Sequence, residues 1–474
     1  MRASFQPILN LEAADPLAGS FETLLPGGIM TSLTVPPGPP PGDWEAYLGA
    51  LPRGPAAAYV NIPFCPSFCD FCGFFKMRPS PGMLEDYVER LTGDVRNQGG
   101  RAKRLGRTFQ AIYLGGGTPT ILPPKSLEKL LASLAEFLPL DTGAEITLEA
   151  RFGTFDAGTI KMAADLGVNR LSIGVQSFDP GVMARVGRPE IGPDYRDLVA
   201  GLVRANPRTT VLDLIYGLPG QTPDIFLNDL KMAAETGAGG LALYPLKTPP
   251  GSALAKKVAD GAAGPPPPLS ELAGRYHRAA LELLQSLGFR RVSASHWAAP
   301  DGKSDPNVYN SLSASRAAVA ALGLGAGGHA AGASWLNATN LREYADKTSR
   351  GLDPVSQFRP APAGHEPADV VSRQIALGLV DPGKFSPREQ EILAPELKNW
   401  GERGLVGAGK NLIEPPGGEE GRGGVGPAPE TDSCPSPGTK IDTALFLTEA
   451  GLFWSPNLEF VLRTKLLQAA MGGR

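Results

Sequence analysis

The sequence predicts an α/β protein: an incomplete (β/α)6 barrel of parallel strands, followed by a small, mainly helical C-terminal domain. Three observations predict this class. Between residues 58 and 246, short apolar runs alternate with helix-length amphipathic segments, the pattern of parallel strands joined by right-handed crossovers. Polar and glycine-rich motifs follow those runs one after another, at the strand ends where parallel barrels carry their reactive groups. The 474 residues, 42% of them hydrophobic, suffice for two to three domains with an ample core.

Strands are expected at residues 58–62, 111–114, 145–150, 170–175, 211–216 and 241–246, with helices such as 83–97, 125–138 and 157–166 between them. Ahead of them a Pro-Pro-Gly-Pro-Pro-Pro-Gly run marks residues 35–55 as a linker, so 1–55 reads as an N-terminal extension. The barrel and the segment after it take residues 56–345. Within that stretch Pro265 to Pro268 break the chain before an amphipathic helix at 269–287. Residues 346–474 read as the C-terminal domain, expected to cover the barrel's open side. It holds helix-like stretches at 370–379 and 387–394, the second opening on Pro387, where a missing N–H is not needed. A short strand pair is expected before the last helix. Residues 414–440, rich in Gly, Pro, Glu and Ser, cannot bury enough apolar surface to order themselves and read as a flexible insertion.

Charge excludes several classes of function. With 45 basic and 48 acidic residues the formal net charge is −3, which gives no electrostatic footprint for nucleic acid. No apolar run is long enough to span a bilayer. The opening Met1-Arg-Ala-Ser-Phe-Gln has no apolar core after it, unlike a secretory signal. The expected home is the cytoplasm, where thiols stay reduced. The four cysteines are therefore read as ligands, not disulfides.

Three of those cysteines stand within eight residues, Cys65-Pro-Ser-Phe-Cys69-Asp-Phe-Cys72, directly after the first strand. Cysteine thiolates are the standard ligands of iron–sulfur clusters, and a set of three leaves one iron of a 4Fe-4S cluster open to a small molecule. A zinc knuckle is the alternative, but tetrahedral structural zinc takes four Cys or His ligands. The stretch offers no histidine and no further cysteine, and Cys434 lies in the insertion.

After the second strand comes Gly115-Gly116-Gly117-Thr118-Pro119-Thr120, where absent side chains let the backbone approach a ligand or simply make a tight turn. The third strand ends in Glu149-Ala-Arg151, the fourth in Gly174-Val-Gln176-Ser-Phe-Asp179, and the fifth carries Asp213-Leu-Ile215-Tyr216. Charges in apolar strands are costly unless paired. Glu149 and Arg151 either pair for structure or line a pocket, where a carboxylate and an amide receive hydroxyls and an arginine neutralises a carboxylate.

The spacing Cys-x3-Cys-x2-Cys resembles the signature of the radical S-adenosylmethionine (SAM) superfamily. That resemblance implies a 4Fe-4S cluster on Cys65, Cys69 and Cys72, whose open iron is chelated by SAM and whose reduction yields a 5′-deoxyadenosyl radical. Four stretches narrow it: Ile62-Pro-Phe-Cys65, Leu114-Gly-Gly-Gly-Thr-Pro-Thr120, Ser172-Ile-Gly-Val-Gln-Ser-Phe-Asp179 and Asp213-Leu-Ile-Tyr-Gly-Leu-Pro-Gly-Gln221. Together they resemble the oxygen-independent coproporphyrinogen-III oxidase family over about residues 59–250. By that resemblance Gly115, Gly116, Gly117 and Thr118 hold the methionine amino group. Tyr59, Phe71, Glu149, Gln176, Arg188 and Asp213 contact the cluster-bound SAM, and Ile215 lies nearer a second SAM. A tetrapyrrole substrate and a low-potential electron donor such as flavodoxin or ferredoxin are implied as partners.

Two departures choose among the family's members. The oxidase has a further cysteine two residues after the third ligand and a histidine in the first strand, where this chain has Phe74 and Asn61. The run Phe71-Cys72-Gly73-Phe74-Phe75 instead resembles the anaerobic haem-utilisation branch, as do Ser295-His296-Trp297, Val308-Tyr309-Asn310, Leu322 to Gly332 and Asn340 to Tyr344. That branch opens the porphyrin ring by radical methyl transfer and releases iron. Oxidative decarboxylation of coproporphyrinogen and haem delivery by a chaperone are the family's other activities. Of the four histidines, His296 and His329 fall in the resembling segment and could meet haem iron or a propionate, or be structural. His277 reads as an exposed helix residue and His365 as a loop residue. Arg188, Arg290 and Arg342 are candidate propionate clamps or solvated surface groups.

Overall fold

The computed structural model describes residues 15, 17, 20, 21, 36–188, 192, 194–206, 208–248, 251–261, 273–300, 304–413 and 444–472. The insertion at 414–440 with Cys434, the break at Pro265 to Pro268 and the first residues of the helix expected from 269 lie outside the described residues.

Six strands run parallel in sequence order: β1 (Ala56–Ile62), β2 (Phe109–Gly116), β3 (Leu140–Ala150), β4 (Arg170–Gln176), β5 (Thr209–Tyr216) and β6 (Gly240–Pro245). Each expected run lies within its strand or one residue beyond it. Helices Met83–Arg104, Pro124–Phe137, Ala157–Asp165, Tyr195–Ala205 and Pro223–Glu235 return the chain between strands. Their starts are written in the sequence. Asp156 and Thr222 accept hydrogen bonds from the third residue beyond them, and prolines stand at the first turn of Pro124–Phe137 and Pro223–Glu235. Alternation sorts the strand residues. Ala58, Val60, Ile62, Ile112 and Leu114 pack in the main core with Tyr87, Val88 and Leu91 of the first helix. Ala57 and Ala111, on the opposite face, meet Tyr59 and Tyr309 inside the barrel.

The chain after the barrel widens the sheet at both edges. The antiparallel β8 (His296–Ala298), with β7 (Arg290–Arg291) beyond it, continues from β6. On the other edge β9 (Ala318–Leu322) pairs parallel with β1, and β10 (Gly327–Ala330), β11 (Ala333–Asn337) and β12 (Val355–Arg359) extend it antiparallel. Between these edges a short helix, Val308–Ala314, contacts β1, β2, β3 and β9 and closes the barrel's amino-terminal end. Glu145 on β3 caps it, accepting from the backbone N–H of Val308 (2.7 Å) and Tyr309 (3.1 Å). Beside it the fully buried Arg170 and Asp305 form a two-pronged ion pair at 2.7 and 3.1 Å.

The C-terminal residues pack as helices His365–Ala376, Pro387–Glu402 and Ser455–Gly472 with a three-stranded sheet of β13 (Leu379–Val380), β15 (Leu445–Leu447) and β14 (Val406–Gly407). Ser386 and Glu389 form a reciprocal cap on the second helix, with Pro387 at its first turn. Trp400 and Trp454 are fully buried here. Residues of this region reach both borders of the open barrel: Arg291 of β7 pairs at 2.6 Å with Glu449, first residue of the short helix Glu449–Phe453, and Arg316, just before β9, pairs with Glu459 at 3.3 Å. Among the described residues no helix is long and apolar enough to cross a membrane.

Candidate active site

The three cysteines lie on a loop fixed from several sides. Cys65 N–H donates to the Met77 carbonyl (3.0 Å) and Met77 N–H to Pro63 (2.6 Å), which closes the loop at its base. From the end of β3, Arg151 donates to the Ser67 carbonyl (3.0 Å) and hydroxyl (2.8 Å). Asp70 N–H donates to the Val186 carbonyl (3.0 Å), its own carbonyl accepts from Leu254 N–H (2.9 Å), and its carboxylate pairs with Lys257 (2.5 Å). Cys65 is buried, while Cys69 and Cys72 are half-buried. Burial pushes the Cys65 and Cys69 thiols up; Thr118, whose hydroxyl donates to Cys65 Sγ at 3.6 Å, and the charges of Arg188 and Arg151 near Cys69 work the other way. Three thiols on one fixed loop fit a cluster with thiolate ligands. Among the described residues no three His, Cys, Asp or Glu are gathered for a single metal ion.

The glycine turn is pressed against the start of that loop. Gly117 N–H donates to the Ile62 carbonyl (2.9 Å) and Thr118 N–H to Phe64 (2.8 Å). A Cβ on Gly117 would stand 2.5 Å from the Phe64 carbonyl oxygen, and one on Gly116, whose φ is +110°, would overlap Asn61 Oδ1. Backbone packing alone thus demands glycine at both positions. Glu149 is held by Tyr113 OH (2.7 Å) and Gly116 N–H (3.2 Å). It does not pair with Arg151, which holds the cysteine loop at Ser67 instead.

The remaining candidates stand on β1, β4 and β5 and on the segments that follow β1 and β4. Burial raises the Glu149 carboxyl, and burial together with the Glu149 charge pushes Asp213 up to about 7; the Ser172 hydroxyl donates to Asp213 at 3.1 Å. Gln176 has a φ of +69° where the register between β4 and β5 slips, a strained backbone of the kind found at functional sites. Buried Arg188 donates to the Gly174 carbonyl (2.9 Å) in the same bulge. Ile215 and Phe71 are half-buried at the edge of the core. Tyr59 stacks on Tyr113 with centroids 6.2 Å apart, and Tyr309 lies 4.6 Å from Tyr113. Tyr113 was not singled out by sequence, although strand alternation places it on the inward face, two residues before Gly115.

The histidines separate. His296 is buried inside the sheet, with Nδ1 at 2.8 Å from Ser293 Oγ and Nε2 at 3.1 Å from Tyr244 OH; burial holds it neutral, down to about 4. Both ring nitrogens are thus occupied within the chain. His329 stands on β10 near the charges of Arg316 and Asp369, toward the C-terminal helices and not at the strand ends of β1 to β6. His277, expected exposed, ends a π-helical turn (Ala273–His277), lies 5.1 Å from the Phe453 ring and lines a cavity of about 250 Å³ with Tyr216, Lys247 and Trp297. His365 opens a helix and is not in a loop.

A parallel incomplete barrel with a three-cysteine loop after β1 and a glycine turn after β2 defines a radical SAM protein, and the Radical SAM superfamily model matches residues 59–233. Relatives refine the class. The chain is 32% identical over 365 residues to an anaerobilin synthase of Escherichia coli, covering 76% of this chain and 81% of that protein. It is 32% identical over 252 residues to the heme chaperone HemW of Synechocystis sp., covering 52% of this chain and 60% of the chaperone. The solved coproporphyrinogen III oxidase (HemN) of Escherichia coli, described as a radical SAM enzyme, shares the fold with a TM-score of 0.69 at 21% identity, over 90% of this chain and 94% of that one. The chain therefore belongs to the oxygen-independent coproporphyrinogen-III oxidase-like family of radical SAM enzymes, on the side of its anaerobic haem-utilisation branch. That family implies a 4Fe-4S cluster and SAM.

Proposed function

We propose that this enzyme opens the haem macrocycle without oxygen, by radical methyl transfer, and releases the iron. The observation that carries the reading is the likeness to anaerobilin synthase, 32% identical over 365 residues and 81% of that protein. Asn61 and Phe74 support it by standing where the oxidase has histidine and a fourth cysteine. In this reading the cluster and SAM, when bound, supply a 5′-deoxyadenosyl radical, with a second SAM as methyl source. Cys65, Cys69 and Cys72 hold the cluster on a loop that Arg151 keeps in place. Gly115, Gly116, Gly117 and Thr118 present backbone groups to the methionine part. Glu149, kept in position by Tyr113, accepts ribose hydroxyls with Gln176, and Arg188 faces a carboxylate. Asp213, raised to about 7, serves SAM as donor or acceptor according to pH. The stacked Tyr59, Tyr113 and Tyr309 exclude water from below.

Reduced, reconstituted protein is incubated anaerobically with SAM and haem and analysed by mass spectrometry. Haem-dependent 5′-deoxyadenosine, S-adenosylhomocysteine and a methylated, ring-opened tetrapyrrole are expected together. The likeness to heme chaperone HemW supports a second reading, haem binding and delivery. Haem binding with products that do not depend on haem would favour that one.

A further inference from the structure

The cysteine loop carries three phenylalanines that, among the described residues, belong to none of the hydrophobic core clusters, Phe75 resting in part on the turn at Gly325. Phe68, Phe74 and Phe75 are 39%, 73% and 40% exposed, and no other phenylalanine among the described residues is exposed as much. Apolar rings exposed together on one loop, Phe74 most of all, mark an interaction surface. Cations frame it. Lys76 Nζ lies 5.4 Å and Arg78 Cζ 5.3 Å from the centre of the Phe68 ring. Residues 63–84 contain a single acidic side chain, Asp70, and Lys257 of helix Ala253–Ala259 neutralises it. The face is therefore aromatic at its centre and positive at its border, with half-buried Cys69 and Cys72 on the same loop.

We propose that this face is the docking surface for an acidic, low-potential electron-transfer protein. The inference rests on the preceding reading only in needing a cluster on the cysteine loop; it does not depend on haem as substrate. One electron passes from the partner's reduced carrier to the cluster, the carrier being oxidised and the cluster reduced by that electron, with no bond made or broken. A protein suits the face better than a small molecule does. Ligand sites are concave, whereas Phe74 protrudes, and projecting aromatics beside cations are the anchors of protein interfaces. The positive border gives a negatively charged partner a fast, salt-sensitive approach.

The variants Phe74→Ala and Arg78→Glu test this, because neither side chain belongs to the proposed cluster or SAM contacts. Full-length reconstituted enzyme is reduced either by dithionite or by a reduced, acidic flavodoxin. Cluster reduction, 5′-deoxyadenosine formation and direct flavodoxin binding by calorimetry are measured at low and high salt. With flavodoxin, reduction and binding are expected to weaken about tenfold in each variant, equivalent to about 1.4 kcal/mol, and Arg78→Glu is expected to blunt the salt dependence. With dithionite both variants are expected to match wild type. Equal flavodoxin rates in all three proteins overturn the proposal. So does an equal fall with dithionite, which would make the face part of the reaction chamber, and so does a wild-type enzyme that dithionite reduces but flavodoxin neither binds nor reduces.

Discussion

Both ends of the barrel carry charge on the same inward-facing strand positions, yet they treat it in opposite ways. At the amino-terminal floor Arg170 stands in the charge of both Asp305 and Glu145. Glu145 caps the helix Val308–Ala314, and Arg170 holds Asp305. Burial works against both members of that ion pair, but each outweighs it for the other, so Asp305 stays below and Arg170 above its ordinary range. At the carboxyl rim, four residues along β3 from Glu145, Glu149 also accepts from neutral groups, Tyr113 OH and Gly116 N–H, but burial outweighs them and the Arg170 charge. Asp213 has a serine hydroxyl and a second carboxyl near it, and both acids are pushed up. Under the proposed function the paired floor charges hold the barrel together, and the raised, part-solvated carboxyls of the rim serve SAM.

Removing a rim ligand and removing a floor partner should therefore give different failures. Cys69→Ala is expected to abolish cluster absorbance and SAM cleavage while leaving the denaturation midpoint of the metal-free protein unchanged. Cleavage that survives would sink the central claim. Asp305→Ala should do the reverse. It leaves Arg170 buried without its partner, at a cost of about 3–5 kcal/mol in stability, visible as a lower urea midpoint, while the folded fraction keeps its SAM cleavage.

Gly117→Ala probes the seam between rim and strand end. The added methyl meets the Phe64 carbonyl at 2.5 Å, so the turn has to move off the cysteine loop. A loss of about 1–3 kcal/mol is expected from the overpacking, together with faster loss of cluster absorbance in air than in wild type. Unchanged cluster lifetime with reduced stability would mean that the turn supports the strand end alone.

How much of this was readable follows from distance along the chain. The six parallel strands were legible because each is a short, largely apolar run separated from the next by a helix-length segment, and the cysteine loop because its ligands are neighbours in sequence. Strands β7 to β12 were not. They are two to five residues long, β9 and β10 are mostly alanine and glycine, and the two sets gain order from pairing outward from β6 and β1. Arg151 and Ser67 are separated by 84 residues, Arg170 and Asp305 by 135, and nothing local says which acid or hydroxyl a given arginine will meet. His277 was misjudged for the same reason: its helix pattern is polar, but Phe453, 176 residues further along the chain, packs its ring against it.

The smallest effect separates the two ends by pH. Folded Asp213 holds its proton up to about 7, against about 3.9 when unfolded. Its contribution to stability is thus complete below pH 4 and is lost as pH rises through 7, at up to about 1.4 kcal/mol per unit. Asp305 has the opposite sign: its folded carboxyl is depressed by Arg170, so its contribution is present above pH 4 and is lost in acid. Asp213→Asn should therefore gain on wild type between pH 5 and pH 8 in urea melts, by a fraction of that slope because Asp213 is not wholly buried. Asp305→Asn should show its largest deficit near neutrality and a shrinking one toward pH 3. If the two variants instead track each other across this range, Asp213 is as fully paired as the floor residues, and the distinction between the barrel's ends loses its electrostatic basis.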